Sequence, residues 1–463
     1  MGRVTSYFGL PEGKPKVLRL AAIFLGLFTS MTAVINISTT FYLIFVAEAL
    51  GNGSYIDGLA LAGVLIVVQK VVQTLLDYPT GTLGDMIGQR WVLASAFLTY
   101  SAAFYLVSLI TPSSPFVLFL LAYILMGVAA SQESGALSSW FDSNYTKAAP
   151  EDSDRLQYGV FIGKQAMLIR VARALVILPG AFLAVVIAYS FVFQVQAVTC
   201  VLIAIASIFL VRDISPKQEL DQPEENEIRY ISILKESAKY VFNSPYLKYL
   251  VLGNTLFMSI GFTWAEIIMY PFLYDYLITD TSVALLMTLV FLVFALLWER
   301  SGVWAKRFEP RKWLPRFRFV QSSGALFFFL FSILMLVFPP TLLTSEMTEV
   351  MIPLTGIVVL QIPTNSILPV LIILTIWFTL GVFFTTAAIL WMRVLVDSIP
   401  NKIRNSVYSL LPTLVVLAAI PQVAIIGLLI PRYGIPIVLI LSGVISAVGA
   451  LFLRKGFALN LVD

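Results

Sequence analysis

Residues 81–90 read GTLGDMIGQR, and a similar stretch, GVWAKRFEPR, stands at residues 302–311 in the second half of the chain. Each stretch follows a long run of apolar residues, so the two segments share their surroundings as well as their letters. Internal similarity of this kind is typical of a duplicated architecture. The pair predicts a membrane protein whose second half repeats its first.

The composition of the whole chain places it in a lipid bilayer. Of 463 residues, 59% are hydrophobic and only 12% are charged, too few to cover a globule of this size with polar groups. Apolar runs of ~20 residues, which cross ~30 Å of hydrocarbon, predict an all-α polytopic membrane protein. The twelve predicted spans are 20–47, 58–80, 91–110, 115–139, 157–186, 190–211, 249–273, 281–299, 318–338, 367–392, 407–430 and 434–453.

Basic residues predict the orientation of these spans. Most of the 30 Lys and Arg residues fall in the tails and in the loops on one side, whereas Arg432 lies in a loop on the other. Cytoplasmic loops retain positive charge during insertion, so both termini are predicted to be cytoplasmic in a multi-pass protein of the cell membrane. The net charge of +4 follows from this topology and gives no reason to invoke nucleic acid.

The one long cytoplasmic connection divides the chain. We predict an N-terminal six-helix bundle at residues 1–212, a linker with an amphipathic helix at 213–247, and a C-terminal six-helix bundle at 248–463. Two repeated bundles joined in this way are expected to rock about a site between them.

Missing residue types exclude several kinds of chemistry. The chain has no His and a single cysteine, Cys200, which excludes His-based catalysis, His metal sites and an intrachain disulfide. The longest outer loop, about 339–366, offers only Glu346 and Glu349 as acidic groups, so a membrane enzyme is weakly supported. We expect no catalytic residue, no metal and no cofactor.

The first of the two similar stretches carries a recognisable motif, G-x-L-[A/G]-D-x-x-G-x-R, between the second and third spans. With twelve spans around it, the chain resembles the major facilitator superfamily over essentially its whole length. The resemblance implies a gating latch on the cytoplasmic side, completed by an acidic residue after the fourth span. The matching positions are Gly81, Leu83, Gly84, Asp85, Gly88, Arg90 and Asp142.

The motif also has a physical logic. Its glycines allow helix ends to approach closely and the chain to turn, while Asp85 is expected to accept backbone N–H groups at a helix start and to pair with Arg90. The second copy has Lys306 in place of Asp85 and Glu309 in place of a glycine. We therefore assign control of gating mainly to the first copy.

Polar residues inside the spans are candidates for the transport site, because a charge in hydrocarbon costs ~2.5–3.5 kcal/mol on insertion scales. Family geometry lines the central cavity with spans one, four, seven and ten, which favours Asn36, Glu133, Glu266 and Trp377. Glu133 and Glu266 are candidate proton-coupling groups, and Lys164 is a potential partner of Glu133. On span five, the substrate-cavity candidates are Arg170 and Arg173, whose guanidinium groups suit a carboxylate or phosphate.

The resemblance implies a secondary transporter that moves a small solute by alternating access. We expect a monomer among membrane lipids, with H⁺ as the coupling ion because two carboxylic acids, Glu133 and Glu266, lie inside the spans. An organic anion is one candidate solute, because embedded bases outnumber embedded acids. A multidrug or lipophilic efflux carrier and a non-transporting receptor or scaffold are the alternatives. Sequence features typical of sugar, peptide and drug branches are missing, so no branch is assigned.

Overall fold

Helices dominate the computed structural model, which describes residues 7–10, 14–152, 155–212, 235, 238–342, 346–351 and 358–459. Within these ranges, eleven helical segments are long and apolar enough to cross a membrane. The last of them, Leu410–Leu459, has 50 residues and bends at Gly434, where φ is 77°. At 1.5 Å per residue it is far longer than ~30 Å of hydrocarbon, so it contains both of the last two predicted spans.

The helices before the predicted linker follow the predicted spans closely, with two of those spans broken. They are α1 (Pro15–Asn36), α2 (Tyr42–Leu50), α3 (Tyr55–Ile87), α4 (Gln89–Ser108), α5 (Phe116–Glu133), α6 (Ala136–Ala148), α7 (Leu156–Val186) and α8 (Tyr189–Leu210).

Residues 213–234, including the start of the predicted amphipathic helix, lie outside the described residues, and the predicted linker stays a prediction. The helices that follow are α9 (Pro245–Thr263), α10 (Met269–Leu277), α11 (Asp280–Ala305), α12 (Pro310–Val320), α13 (Ala325–Val337), α14 (Ile367–Ser398) and α15 (Asn401–Leu459). Between α9 and α10 runs a π-helical segment, Trp264–Ile268.

The chain forms two compact units. Unit 1 comprises Met1–Tyr42 and Val68–Leu220, and unit 2 comprises Leu43–Val67 and Asp221–Asp463. Unit 2 therefore contains α2 and the first part of α3 together with the helices that follow the linker.

Two contacts within unit 2 fix the segment Leu43–Val67 to later helices. The Tyr55 hydroxyl donates a hydrogen bond of 2.7 Å to the carboxylate of Asp275 on α10. Further along α3, a Cβ added to Gly63 would lie 3.5 Å from the Cα of Gly427 on α15, so two glycines let these helices meet closely.

Aromatic side chains fill the interior of each unit. In unit 1, Phe141 stacks on Phe24 with ring centres 4.3 Å apart and contacts Phe161 at 5.0 Å. In unit 2, Phe272 stacks on Phe331 at 4.8 Å. These pairs add directional contacts to the burial of large apolar surfaces.

A β-hairpin precedes α14, within the predicted outer loop 339–366. Its strands, β1 (Met347–Met351) and β2 (Val358–Pro363), are antiparallel. The Ser282 hydroxyl donates to the Gln361 carbonyl at 2.9 Å and accepts from the Gln361 N–H at 3.0 Å, which ties the hairpin to the start of α11.

Candidate functional site

The first predicted span, 20–47, is interrupted by a turn between α1 and α2. Asn36 is the last residue of α1 and is 8% exposed. Its side-chain amide donates to the Thr32 carbonyl at 2.8 Å, and its amide oxygen accepts from the Thr39 hydroxyl at 3.3 Å. Asn36 therefore uses both ends of its amide to hold the end of α1.

Two other helices of unit 1 support this turn. The Gln196 amide of α8 donates to the Val34 carbonyl at 2.7 Å. On α7, a Cβ added to Gly180 would lie 2.0 Å from the Ile37 carbonyl oxygen, so only a glycine fits there without displacement. Broken helices at membrane depth need such support, because their free backbone groups have no water to bind.

A second interruption follows Glu133 in the fourth span. The sequence predicts one helix over 115–139, but α5 ends at Glu133 and α6 begins after Gly135, whose φ is 75°. The Tyr100 hydroxyl of α4 lies beside the Glu133 carboxylate. The positive φ of Gly135, which other residues rarely adopt, explains the break.

Lys164 does not pair with Glu133. Its ammonium lies 4.2 Å from the centre of the Tyr7 ring, a cation–π distance. The salt bridges among the described residues are Lys14–Glu151 and Arg155–Asp142. The described partner of Glu133 is thus a neutral hydroxyl, and a proton can be taken up there without breaking an ion pair.

Arg170 and Arg173 are half-buried on α7. One guanidinium nitrogen of Arg170 donates to the Ala166 carbonyl at 2.6 Å, which occupies one of its five donors. Residues three apart lie on the same side of a helix, so the two arginines share one side of α7.

The seventh span changes geometry in its middle. Glu266 is half-buried within the π-helical segment, Trp264–Ile268. On α9, before this segment, the Ser259 hydroxyl accepts a hydrogen bond of 2.8 Å from the Gln422 amide of α15. Single π-helical turns inside α-helices are frequent at functional sites.

Aromatic side chains pack around Trp264, the first residue of the π-helical segment. The Trp264 ring meets Phe327 edge-on at 5.3 Å and lies 6.0 Å from the ring of Trp377. Trp377, a predicted cavity residue, is 6% exposed and packs inside this cluster.

The predicted gating loop, 81–90, is largely helical. Helix α3 continues through most of it, and the chain turns only at Gly88, with φ 101° and ψ 142°. The backbone of Asp85 thus lies in the last turn of α3 and not at a helix start, while its side chain is outside the described atoms. A Cβ on Gly84 would lie 2.6 Å from the Gln89 side chain, so that side chain would have to move if Gly84 were replaced. The exposed motif residues are Gly81, Leu83 and Arg90.

Asp142, the predicted acidic partner of the latch, forms a salt bridge with Arg155 at 2.6 Å. Nearby, Lys14 donates a hydrogen bond to Glu151 and thereby lowers the pKa of that carboxyl group. Arg90 lies over the ring of Trp91, 5.2 Å from its centre. The gating role of these residues stays a prediction.

One family model covers both the interrupted helices and the motif. A model described as Major Facilitator Superfamily matches residues 23–372. The chain belongs to the Major Facilitator Superfamily. It is a transporter and not an enzyme, and the predicted polytopic helical class is confirmed.

Solved transporters share this fold. A D-xylose–proton symporter is 15% identical, with a TM-score of 0.62 over 95% of this chain and 97% of that one. The nucleoside transporter NupG is 11% identical, with a TM-score of 0.63 over 96% and 99%. The inward-open xylose transporter XylE from E. coli is 14% identical, with a TM-score of 0.59 over 95% of each chain. No curated protein matches the chain.

The helix interruptions and the residues that support them were not predicted from the sequence. Gly135, two residues after the embedded Glu133, was a signal for the second break, since glycine often ends helices. No local sequence pattern predicts that Gln196 contacts Val34 or that Gly180 contacts Ile37, because the residues of each pair are about 150 positions apart.

Proposed function

We propose that this transporter moves a small polar solute by alternating access and is driven by H⁺. One observation carries the proposal: spans one, four and seven each lose regular α geometry at a polar residue the sequence had singled out. These residues are Asn36, Glu133 and Glu266.

Discontinuous helices suit a solute site because they present backbone groups that a regular helix uses internally. They persist at membrane depth only where protein or a water-lined cavity surrounds them. Two of the three residues are carboxylic acids, which can bind hydroxyl groups of a solute and exchange a proton.

Alternating access is supported by the composition of unit 2. The segment Leu43–Val67 is held there by the Tyr55–Asp275 hydrogen bond and by the glycine contact of Gly63. One hydrogen bond and one contact between glycines are weak enough to break and reform during transport. We infer that the segment Leu43–Val67 separates from the later helices in the opposite state of the transport cycle.

Proton coupling is assigned to Glu133, with Glu266 as the second candidate. The neighbouring Tyr100 hydroxyl can donate to Glu133 when this carboxylate is ionised, and Glu133 becomes a donor when it is protonated. Neutralisation removes the cost of an embedded charge and so biases the equilibrium between states.

The solute class is tested first by thermal unfolding of the purified protein against sugars, nucleosides and organic anions. A ligand at 100 times its dissociation constant stabilises by ~2.7 kcal/mol. The similar folds of xylose and nucleoside transporters support the first two classes. Arg170 and Arg173 favour an organic anion, and that candidate fails if sugars or nucleosides stabilise and anions do not.

Transport is then measured in proteoliposomes with the solute so identified. Counterflow is expected, because a carrier exchanges internal for external solute and a receptor does not. A proton gradient directed into the vesicles should drive accumulation of the solute. The Glu133→Gln variant should lose this accumulation but retain counterflow. The matched control is Glu299→Gln, at an exposed carboxylate of α11, which should accumulate normally. Accumulation by Glu133→Gln would refute the coupling role.

The orientation and the membrane remain part of the proposal. The distribution of Lys and Arg supports cytoplasmic termini in the cell membrane. Cys200 is the only cysteine and is buried, so Cys200→Ser provides a background for single-cysteine labelling from either side.

A further inference from the structure

An open groove runs between α1 and α8 of unit 1, and its lining residues differ from those at the helix interruptions. Its volume is about 410 Å³. The lining is mostly apolar and includes Ala22, Gly26, Leu27 and Ser30 of α1 with Ala206 and Leu210 of α8.

Small residues create the groove. Ala22, Gly26 and Ser30 recur at every fourth position, so they form one exposed stripe along α1. A Cβ added to Gly26 would have no atom within 4 Å. Leu202 lies one turn from Ala206 on α8 and is 60% exposed, so the groove opens toward the surrounding hydrocarbon.

The groove has the length of one bilayer leaflet. From Ala22 to Ser30 the helix rises ~12 Å. Half of a ~30 Å hydrocarbon core is ~15 Å. Exposed Arg19 stands one turn before Ala22, where the hydrocarbon of that leaflet would give way to headgroups.

A second arginine marks the same end. Arg212 follows the end of α8, and its N–H donates to the Leu210 carbonyl at 3.0 Å. The Trp140 indole N–H donates to the Arg212 carbonyl at 3.2 Å, and tryptophan is enriched at membrane interfaces. Among the described residues, neither Arg19 nor Arg212 forms a salt bridge with a carboxylate.

We propose that this groove is a binding site for an anionic phospholipid. One acyl chain lies along Ala22, Gly26 and Ser30, and the anionic headgroup binds Arg19 and Arg212. Guanidinium forks bind phosphate with two parallel hydrogen bonds, and basic residues beside a membrane attract anionic lipids. The site does not depend on the solute or on proton coupling.

Native mass spectrometry of the purified protein, titrated with phosphatidylglycerol or phosphatidylcholine of the same acyl chains, tests the headgroup contact. Phosphatidylglycerol should bind more tightly. Arg19→Gln/Arg212→Gln should weaken it about 30-fold, which corresponds to ~1 kcal/mol for each arginine at 1.4 kcal/mol per tenfold. Arg300→Gln/Arg454→Gln, which changes two exposed arginines of unit 2, should leave the affinity unchanged.

The acyl-chain contact is tested by filling the groove. Gly26→Leu should remove the bound lipid without lowering the unfolding temperature, because the new side chain enters open space. Gly163→Leu on α7 is the control, since Gly163 is also exposed and also has no atom within 4 Å of an added Cβ.

Any of the following results would overturn the proposal: equal affinity of the wild type for the two lipids, an unchanged affinity in the double arginine variant, or the same lipid loss in both leucine variants. Inorganic phosphate alone, added without lipid, should not raise the unfolding temperature. If it stabilises as much as phosphatidylglycerol does, the ligand is a free anion and the lipid assignment is wrong.

Discussion

Gly180→Ala tests whether the interruption after Asn36 positions the solute site. The added methyl group would lie 2.0 Å from the Ile37 carbonyl oxygen, whereas ordinary contact begins at 3.4 Å. α7 and the turn must therefore separate by about 1.4 Å. Overpacking of this kind costs about 1–3 kcal/mol. A displacement of ~1 Å at a reacting or binding centre can reduce turnover by ~100-fold.

The assay compares two alanine variants on the same helix. Counterflow of the identified solute should fall by ~100-fold in Gly180→Ala, and its thermal unfolding should shift downward. Gly163→Ala should retain transport and stability, because its new methyl group meets no atom within 4 Å. Wild-type counterflow by Gly180→Ala would refute the link between the interruption and the solute site. An equal loss in both variants would show that α7 is sensitive to any substitution.

Three further substitutions test other contacts. Tyr55→Phe removes the donor to Asp275 and should destabilise the protein by ~1–3 kcal/mol in thermal unfolding, with little further loss when Asp275→Asn is added. Asp85→Asn should leave the unfolding temperature unchanged but slow transport severely in reconstituted vesicles, and an unchanged rate would end the gating role. Glu266→Gln should weaken solute binding in the thermal screen, and unchanged binding would remove Glu266 from the site.

Periodic and compositional features were predictable from the sequence. Apolar runs located the spans, because the bilayer requires a continuous length of hydrocarbon-compatible side chains. The motif around Asp85 identified the family, which the family model confirms. The same local reasoning placed Asp85 at a helix start, but α3 continues past it until Gly88 turns the chain.

Partners were much less predictable. Lys164 was a candidate partner of Glu133, yet the Tyr100 hydroxyl lies beside Glu133, and Lys164 lies over the ring of Tyr7. The heights of two residues along their helices can be estimated from the sequence. The rotation of each helix about its axis cannot, because it depends on packing against neighbours that are distant in sequence.

The sequence by itself determined that this protein is a membrane-embedded helical transporter, since hydropathy and a short motif are local properties of the chain. Only the tertiary structure decided where the helices break and what supports each break. The break after Asn36 is supported by residues that are distant in sequence: Gln196 donates a hydrogen bond to the Val34 carbonyl, and Gly180 packs closely against Ile37. Such support is needed because backbone groups at a helix break have no water to bind inside the membrane.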